Sequence, residues 1–255
     1  MLELLQYDFM QRALIAALLV GVAAPMVGIF LVQRRLALIG DGMGHVALAG
    51  VAVGVVTGQQ PVFTALALAV AAAVLIELVR ARGRTSGDVA LAVMFYGGIA
   101  VGIVLLSRAG SETPANLDSF LFGAITTTSP TDVRVFAVLA AVILLVTWIM
   151  RPRLFAVAGD EEYARATGMN VLAVNLTLAI LTAVTVVVSM RVVGLLLISA
   201  LMIVPNAASQ LLTRSFASAL RLAVLIGVLC SVGGVVVSYH AETPSGGTIV
   251  VLTVL

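Results

Sequence analysis

Residues 13–33 read ALIAALLVGVAAPMVGIFLVQ, twenty-one consecutive positions without a charge. A helix needs roughly 20 mostly apolar residues to cross the hydrocarbon core of a bilayer, so this stretch alone is long enough. Working outward from it, similar runs occupy 36–56, 62–79, 88–107, 131–150, 171–190, 192–212 and 222–239. The sixth and seventh of the eight leave almost no room for a turn at Arg191, so their shared boundary is softer than these limits. A ninth run begins near 247 and the sequence ends at Leu255. Nine residues at about 1.5 Å each cover less than half of a ~30 Å core. That helix therefore either continues past Leu255 or does not cross. Backbone groups in hydrocarbon must find partners within the protein, and the short alternating segments of a membrane barrel are absent. The expected fold class is all-α, a polytopic integral membrane bundle of 8–9 transmembrane helices forming one domain over 1–255.

The composition agrees. Of 255 residues, 62% are hydrophobic and 10% charged, and the mean hydropathy is +1.19, against about 45–50% and about 25% in a soluble domain. So few charges cannot cover a water-facing surface. A soluble or disordered chain, a disulfide scaffold and a nucleic-acid binder are all excluded. The net charge of +2 comes from 14 arginines against 12 acids, with no lysine, a usage that points to a GC-rich bacterial genome. A single cysteine, Cys230, allows no intrachain disulfide. The opening MLELLQYDFMQR lacks a basic n-region and a cleavage site, so it reads as mature protein rather than a signal peptide.

Arginine placement sets the orientation. Arg34, Arg35, Arg80, Arg82, Arg84, Arg151, Arg153, Arg165, Arg214 and Arg221 fall on one side of this threading, and Arg12, Arg108, Arg134 and Arg191 on the other. The richer side is expected in the cytoplasm, which puts the N-terminus outside. Arg191 reads as a snorkelling interfacial residue, and Glu77 and Asp88 as charges at the inner interface.

Two connections are long enough to carry structure. The outer one, 107–130, contains LDSFLFG, which suits a short interfacial helix. The inner one, 151–170, reads RPRLFAVAGDEEYARATGMN. Asp160 is a good N-cap, Glu161 and Glu162 fall where the helix dipole favours acids, and Gly168 is placed to end the helix. A cytoplasmic helix of about two turns, roughly seven residues, is expected; it is either a docking element for a cytoplasmic partner or part of a solvated loop.

Charges inside spans are expensive, about 2.5–3.5 kcal/mol at the centre by insertion scales, so each one is a functional candidate. The second span, LALIGDGMGHVALAGVAVG, places Asp41 and His45 four apart, on one helix face. A carboxylate and an imidazole at that spacing can share one divalent cation; the alternative is a self-satisfied polar pair near the interface. Gly40, Gly42, Gly44 and Gly50 thin the helix around them. The other histidine lies in SYHAETPSGG, 238–247, read as a loop or broken helix. There His240 and Glu242 either gather a cation from outside or are simply solvated. The chain has no HExxH, no GxSxG and no GxxxxGKS, so it is not expected to be an enzyme. If ATP drives it, another subunit binds the nucleotide. The scattered methionines read as packing rather than a copper path.

Taken together, the N-terminal segment through RRLALIGDGMGHVALAGVAVG, with LDSFLFGAI (117–125), GDEEYARATG (159–168), VVGLLLISALMIVPNAASQLLT (192–213) and ETPSGGTIVV (242–251), resembles the permease subunits of bacterial ABC importers for zinc, manganese and iron(II). The resemblance covers nearly the whole chain, with its landmarks in the family's order. It implies a homodimer in the bacterial cytoplasmic membrane, two cytoplasmic ABC ATPase subunits and an extracytoplasmic metal-binding protein. The transported metal is Zn, Mn or Fe(II), and no intrinsic cofactor is implied. Asp41 and His45 match the family's intramembrane Asp and His, and two protomers would offer a four-ligand N/O set. The 159–168 segment resembles the family's coupling helix, with Asp160, Glu161, Glu162, Tyr163, Arg165 and Gly168 as candidate ATPase-coupling residues. His240 and Glu242 are candidates for an outer gate. Import rather than export follows from the resemblance. It departs from the family where the chain ends at Leu255, short of the expected last helix and tail. Two other readings stay open: an ABC permease for a metal chelate or cobalamin, and an ATPase-independent secondary cation transporter.

Overall fold

A computed structural model describes residues 7–83, 87–108, 120–123, 129–190, 193–195 and 197–255. Its helices are α1 (Asp8–Gln33), α2 (Ile39–Thr57), α3 (Pro61–Ala81), α4 (Gly87–Arg108), α5 (Pro130–Gly159), α6 (Glu161–Ala166), α7 (Val171–Ser189), α8 (Ile198–Leu212), α9 (Phe216–Ala241) and α10 (Ser245–Val254). No strand occurs among the described residues. Seven helices (α1 to α5, α7 and α9) are long and apolar enough to cross a membrane, and α8 and α10 are shorter apolar helices. All nine apolar runs of the sequence thus form helix, but two are shorter than a span.

The seventh run is where expectation and structure part. Helix was expected from 192; α8 begins at Ile198 and its 15 residues rise only about 22 Å. The cause is Gly194, whose φ of +88° lies in the left-handed region that a helix cannot use. The bend is held by Leu195 N–H donating to the Phe120 carbonyl at 2.9 Å. A Cβ on Gly194 would strike the Leu121–Gly123 backbone. Of the interfacial helix expected at LDSFLFG, only 120–123 are described, and 120–122 make one helical turn. The rest of that segment, Arg84 and Arg191 lie outside the described residues.

Helix α5 also differs from expectation. It does not stop at 150 but runs on to Gly159 through Pro152. Leu154 and Val157, three apart, are buried on one face and hold this extension against the bundle. Phe155 meets Phe216 of α9 at 4.8 Å between ring centroids, and the Arg151 guanidinium sits 5.4 Å over the same Phe216 ring.

Helices α1, α2 and α7 form the buried centre, whereas α4, α5 and α9 turn most of their surface outward. Their outward side chains include Val93, Leu145, Trp148 and Leu229. An apolar exterior of this kind suits lipid rather than water. The centre is assembled through small residues. A Cβ on Gly21 would lie 2.9 Å from the Gly227 oxygen of α9. One on Gly28 would collide with the Met202 carbonyl of α8.

The ends of α1 and α3 and the start of α9 gather with α6 on one side of the bundle. Arg34 at the end of α1 pairs with Glu161 of α6. Arg80 at the end of α3 borders the same cavity as Glu161 and Arg165. Phe30 and Phe216 meet at a tilt, with centroids 5.6 Å apart, which brings the end of α1 to the start of α9. At the far end, Phe9 meets Tyr239 at 6.3 Å.

Candidate functional site

Helix α2 is squeezed on several sides where it carries Asp41 and His45. A Cβ on Gly40 would sit 2.7 Å from Ser199 Oγ, and one on Gly44 the same distance from the Leu195 carbonyl oxygen. On the α4 side, a Cβ on Gly42 would meet Leu91 at 2.7 Å, and one on Gly98 would stand 2.7 Å from the His45 backbone carbon. The glycines that the sequence reading flagged therefore bring the neighbouring elements up to the α2 backbone. They leave the face bearing Asp41 and His45 as the polar strip.

Asp41 lies in the first turn of α2 and is half-buried, as is His45 one turn deeper. The His45 ring packs edge-on against Phe95 of α4, with centroids 4.2 Å apart and planes at 70°. That contact fixes the ring, and it was not anticipated from the sequence. His45 Nδ1 is buried without a hydrogen-bond partner among the described residues. A buried nitrogen left in that condition costs about 1–3 kcal/mol. Imidazole and carboxylate donors together suit a divalent transition metal. No group of three or more His, Cys, Asp or Glu placed to hold a metal ion occurs among the described residues.

His240 and Glu242 stand apart from that pair. From sequence, 238–247 reads as a loop or broken helix. In the structure α9 continues through His240 to Ala241, and the break falls at Glu242, whose φ is +53°. His240 Nδ1 lies 2.9 Å from the Val236 carbonyl. These residues lie near the Phe9 end of α1, while Asp41 follows its other end; 26 residues make about 39 Å of helix between the two.

The short inner helix forms as expected. Asp160 Oδ1 accepts from the Tyr163 N–H at 2.9 Å, and Glu161 and Glu162 occupy the first turn of α6. Gly168, at φ +82°, closes it. The Gly168 N–H donates to the Arg165 carbonyl and the Met169 N–H to the Ala164 carbonyl, both at 3.1 Å, a Schellman ending. Ala164 is buried, while Glu162, Tyr163 and Arg165 are exposed.

Three residues of the network behind α6 escaped the sequence reading. In the sequence, Arg34 bears only on orientation. Its Nη1 donates to Asn175 Oδ1 of α7 at 2.5 Å and its Nη2 to Glu161 Oε2 at 2.6 Å. Burial draws its pKa below the usual arginine value, and the adjacent Glu161 opposes that shift. Glu77, expected at the interface, is 3% exposed and accepts from Arg80 at 2.8 Å. An asparagine in the middle of VLAVNLTLAI was the signal for this network: a buried amide needs a partner.

The architecture is that of a multi-pass helical membrane protein with its polar groups reserved for a few sites. The chain belongs to the ABC 3 transport family, whose model matches residues 6–255. It is 32% identical over 250 residues to the manganese transport system membrane protein MntC of Halalkalibacterium halodurans, covering 98% of this chain and 85% of that one. It is 31% identical over 249 residues to the chelated iron transport system membrane protein YfeD of Yersinia pestis, covering 98% and 83%. Among solved structures it is similar to PsaBC from Streptococcus pneumoniae in complex with Fab, with a TM-score of 0.87, 31% identity, and coverage of 98% of this chain and 90% of that one.

Proposed function

We propose that this chain is the permease subunit of an ATP-driven importer that moves a divalent transition-metal ion, Mn, Fe(II) or Zn, across a bacterial cytoplasmic membrane by alternating access. The observation that carries the reading is the buried, unpartnered His45 Nδ1 beside Asp41 in a span, in a member of the ABC 3 transport family. The manganese and iron systems named for its relatives support the same class of cargo.

In this reading the chain is a homodimer, and Asp41 and His45 of each protomer face a shared path. Two carboxylates and two imidazoles about a two-fold axis make a four-ligand N/O set. The ligands bind through neutral imidazole nitrogen and carboxylate oxygen, and the absence of thiolate keeps the hold weak enough for release. Two cytoplasmic ABC ATPase subunits bind the nucleotide, and α6, with Asp160, Glu161, Glu162, Tyr163, Arg165 and Gly168, docks against them. The N-terminus faces outside, where an extracytoplasmic metal-binding protein delivers the ion past His240 and Glu242.

The test is metal uptake by the reconstituted complex, wild type against Asp41→Ala/His45→Ala, with Zn, Mn and Fe(II) offered in turn. A double variant that assembles but loses uptake of one metal supports the reading and names the cargo. Unchanged uptake makes the pair structural and sinks it.

A further inference from the structure

We infer that Arg34 is the strut through which movement of α6 reaches the face of α2 bearing Asp41 and His45. This rests on the function proposed above, and adds to it a positioning residue that contacts neither metal nor ATPase. Its side chain is only 8% exposed, yet its two terminal nitrogens grip two different elements: Asn175 on α7 and Glu161 on α6. A guanidinium fork makes such a two-way grip, while a lysine ammonium is a single point on a flexible stem. The remaining oxygen of Glu161 accepts from Arg165 at 3.1 Å, so both oxygens of that carboxylate are held and it cannot turn away from Arg34 freely.

The other end of the strut is equally fixed. Between Gln33 and Ile39 the chain turns through a tight corner. The Leu36 N–H donates to the Leu31 carbonyl at 2.9 Å, the Arg35 N–H to the Val32 carbonyl at 3.1 Å, and the Ile39 N–H to the Leu36 carbonyl at 3.1 Å. Arg35 itself is left-handed, at φ +58°, a conformation a non-glycine residue holds only when its surroundings impose it. A displacement of Arg34 is therefore passed to the first turn of α2, where Asp41 sits, with little slack.

The strut also has somewhere to go when released. A cavity of about 730 Å³ lies beside it, lined by Glu77, Arg80, Glu161, Arg165 and Asn175 among others. A buried guanidinium that loses Glu161 must follow it or take up water there. Coupling between separated sites requires two discrete arrangements, and in this inference the paired and the released Arg34 are those two.

The test measures metal moved per ATP hydrolysed, using radiolabelled Mn(II) and the complete reconstituted complex. Fewer assembled complexes do not move this ratio, so a merely structural role leaves it constant. Arg34→Gln is expected to lower it about tenfold while hydrolysis continues. Arg34→Lys, which keeps the charge and loses the fork, lowers it less but measurably. A wild-type ratio in Arg34→Gln overturns the inference; if that variant does not assemble, a wild-type ratio in Arg34→Lys does so. Asp41→Ala/His45→Ala is run in parallel. Uptake that survives it overturns the metal-site reading, whereas its loss beside a normal Arg34→Gln ratio overturns the strut alone.

Discussion

Asn206 Nδ2 donates to the Pro25 carbonyl oxygen at 3.0 Å, joining α8 to α1 across 181 residues of sequence. The same nitrogen donates to the Met202 carbonyl at 2.7 Å. Asn206 is fully buried, and Gly28 brings the two helices close enough for the bond. Interhelical bonds of this kind in membrane proteins contribute about 0.6 kcal/mol on average and up to about 1.7 kcal/mol. Asn206→Leu should therefore lower the thermal unfolding midpoint of the detergent-purified protein. Asn206→Asp should lower it further, because it leaves a charge buried without a cation. An unaltered midpoint in both would show that the α1–α8 contact is held by packing alone.

A sharper probe of the metal-site reading uses two neighbouring glycines of α4. A Cβ on Gly98 would stand 2.7 Å from the His45 backbone, whereas one on Gly97 meets nothing within 4 Å. Gly98→Ala must push α4 away from α2 and release the His45 ring from Phe95, at an overpacking cost of about 1–3 kcal/mol. Gly97→Ala adds a methyl group to open space. Metal uptake by reconstituted complexes should fall for Gly98→Ala and hold for Gly97→Ala. Equal behaviour of the two would mean that the α2–α4 approach does not set the site.

Much of this arrangement could be read from the chain, and the physical reason differs from element to element. Long uncharged runs such as 13–33 declare themselves because hydrocarbon tolerates no unpaired backbone. The short inner helix was readable because Asp160 and Gly168 act locally, through bonds to residues within five positions. Asp41 and His45 stood out as charges among apolar neighbours. What stayed hidden depends on partners distant in sequence. The bend at Gly194 exists because Phe120 accepts from Leu195, and the extension of α5 past 150 is anchored by Phe216. Arg34 looked like one more inner arginine because Asn175 and Glu161 lie 141 and 127 residues away.

Both ends of α6 are set by single residues. Asp160 is its N-terminal side-chain cap, and replacing such a cap by alanine costs about 1 kcal/mol, whereas serine preserves most of it. Gly168, at φ +82°, meets a comparable penalty as Gly168→Ala, since a left-handed L-residue costs about 1–2 kcal/mol. A helix of six residues has little stability of its own, so either loss should fray it. Hydrogen exchange at the amides of 161–166 should accelerate by about fivefold or more in Asp160→Ala and Gly168→Ala, with Asp160→Ser close to wild type. ATP-driven metal uptake should follow the same order, because a frayed α6 presents no fixed surface to an ATPase subunit. If exchange accelerates while uptake is maintained, the order of this helix is dispensable for transport, and the docking role proposed for Tyr163 and its neighbours fails.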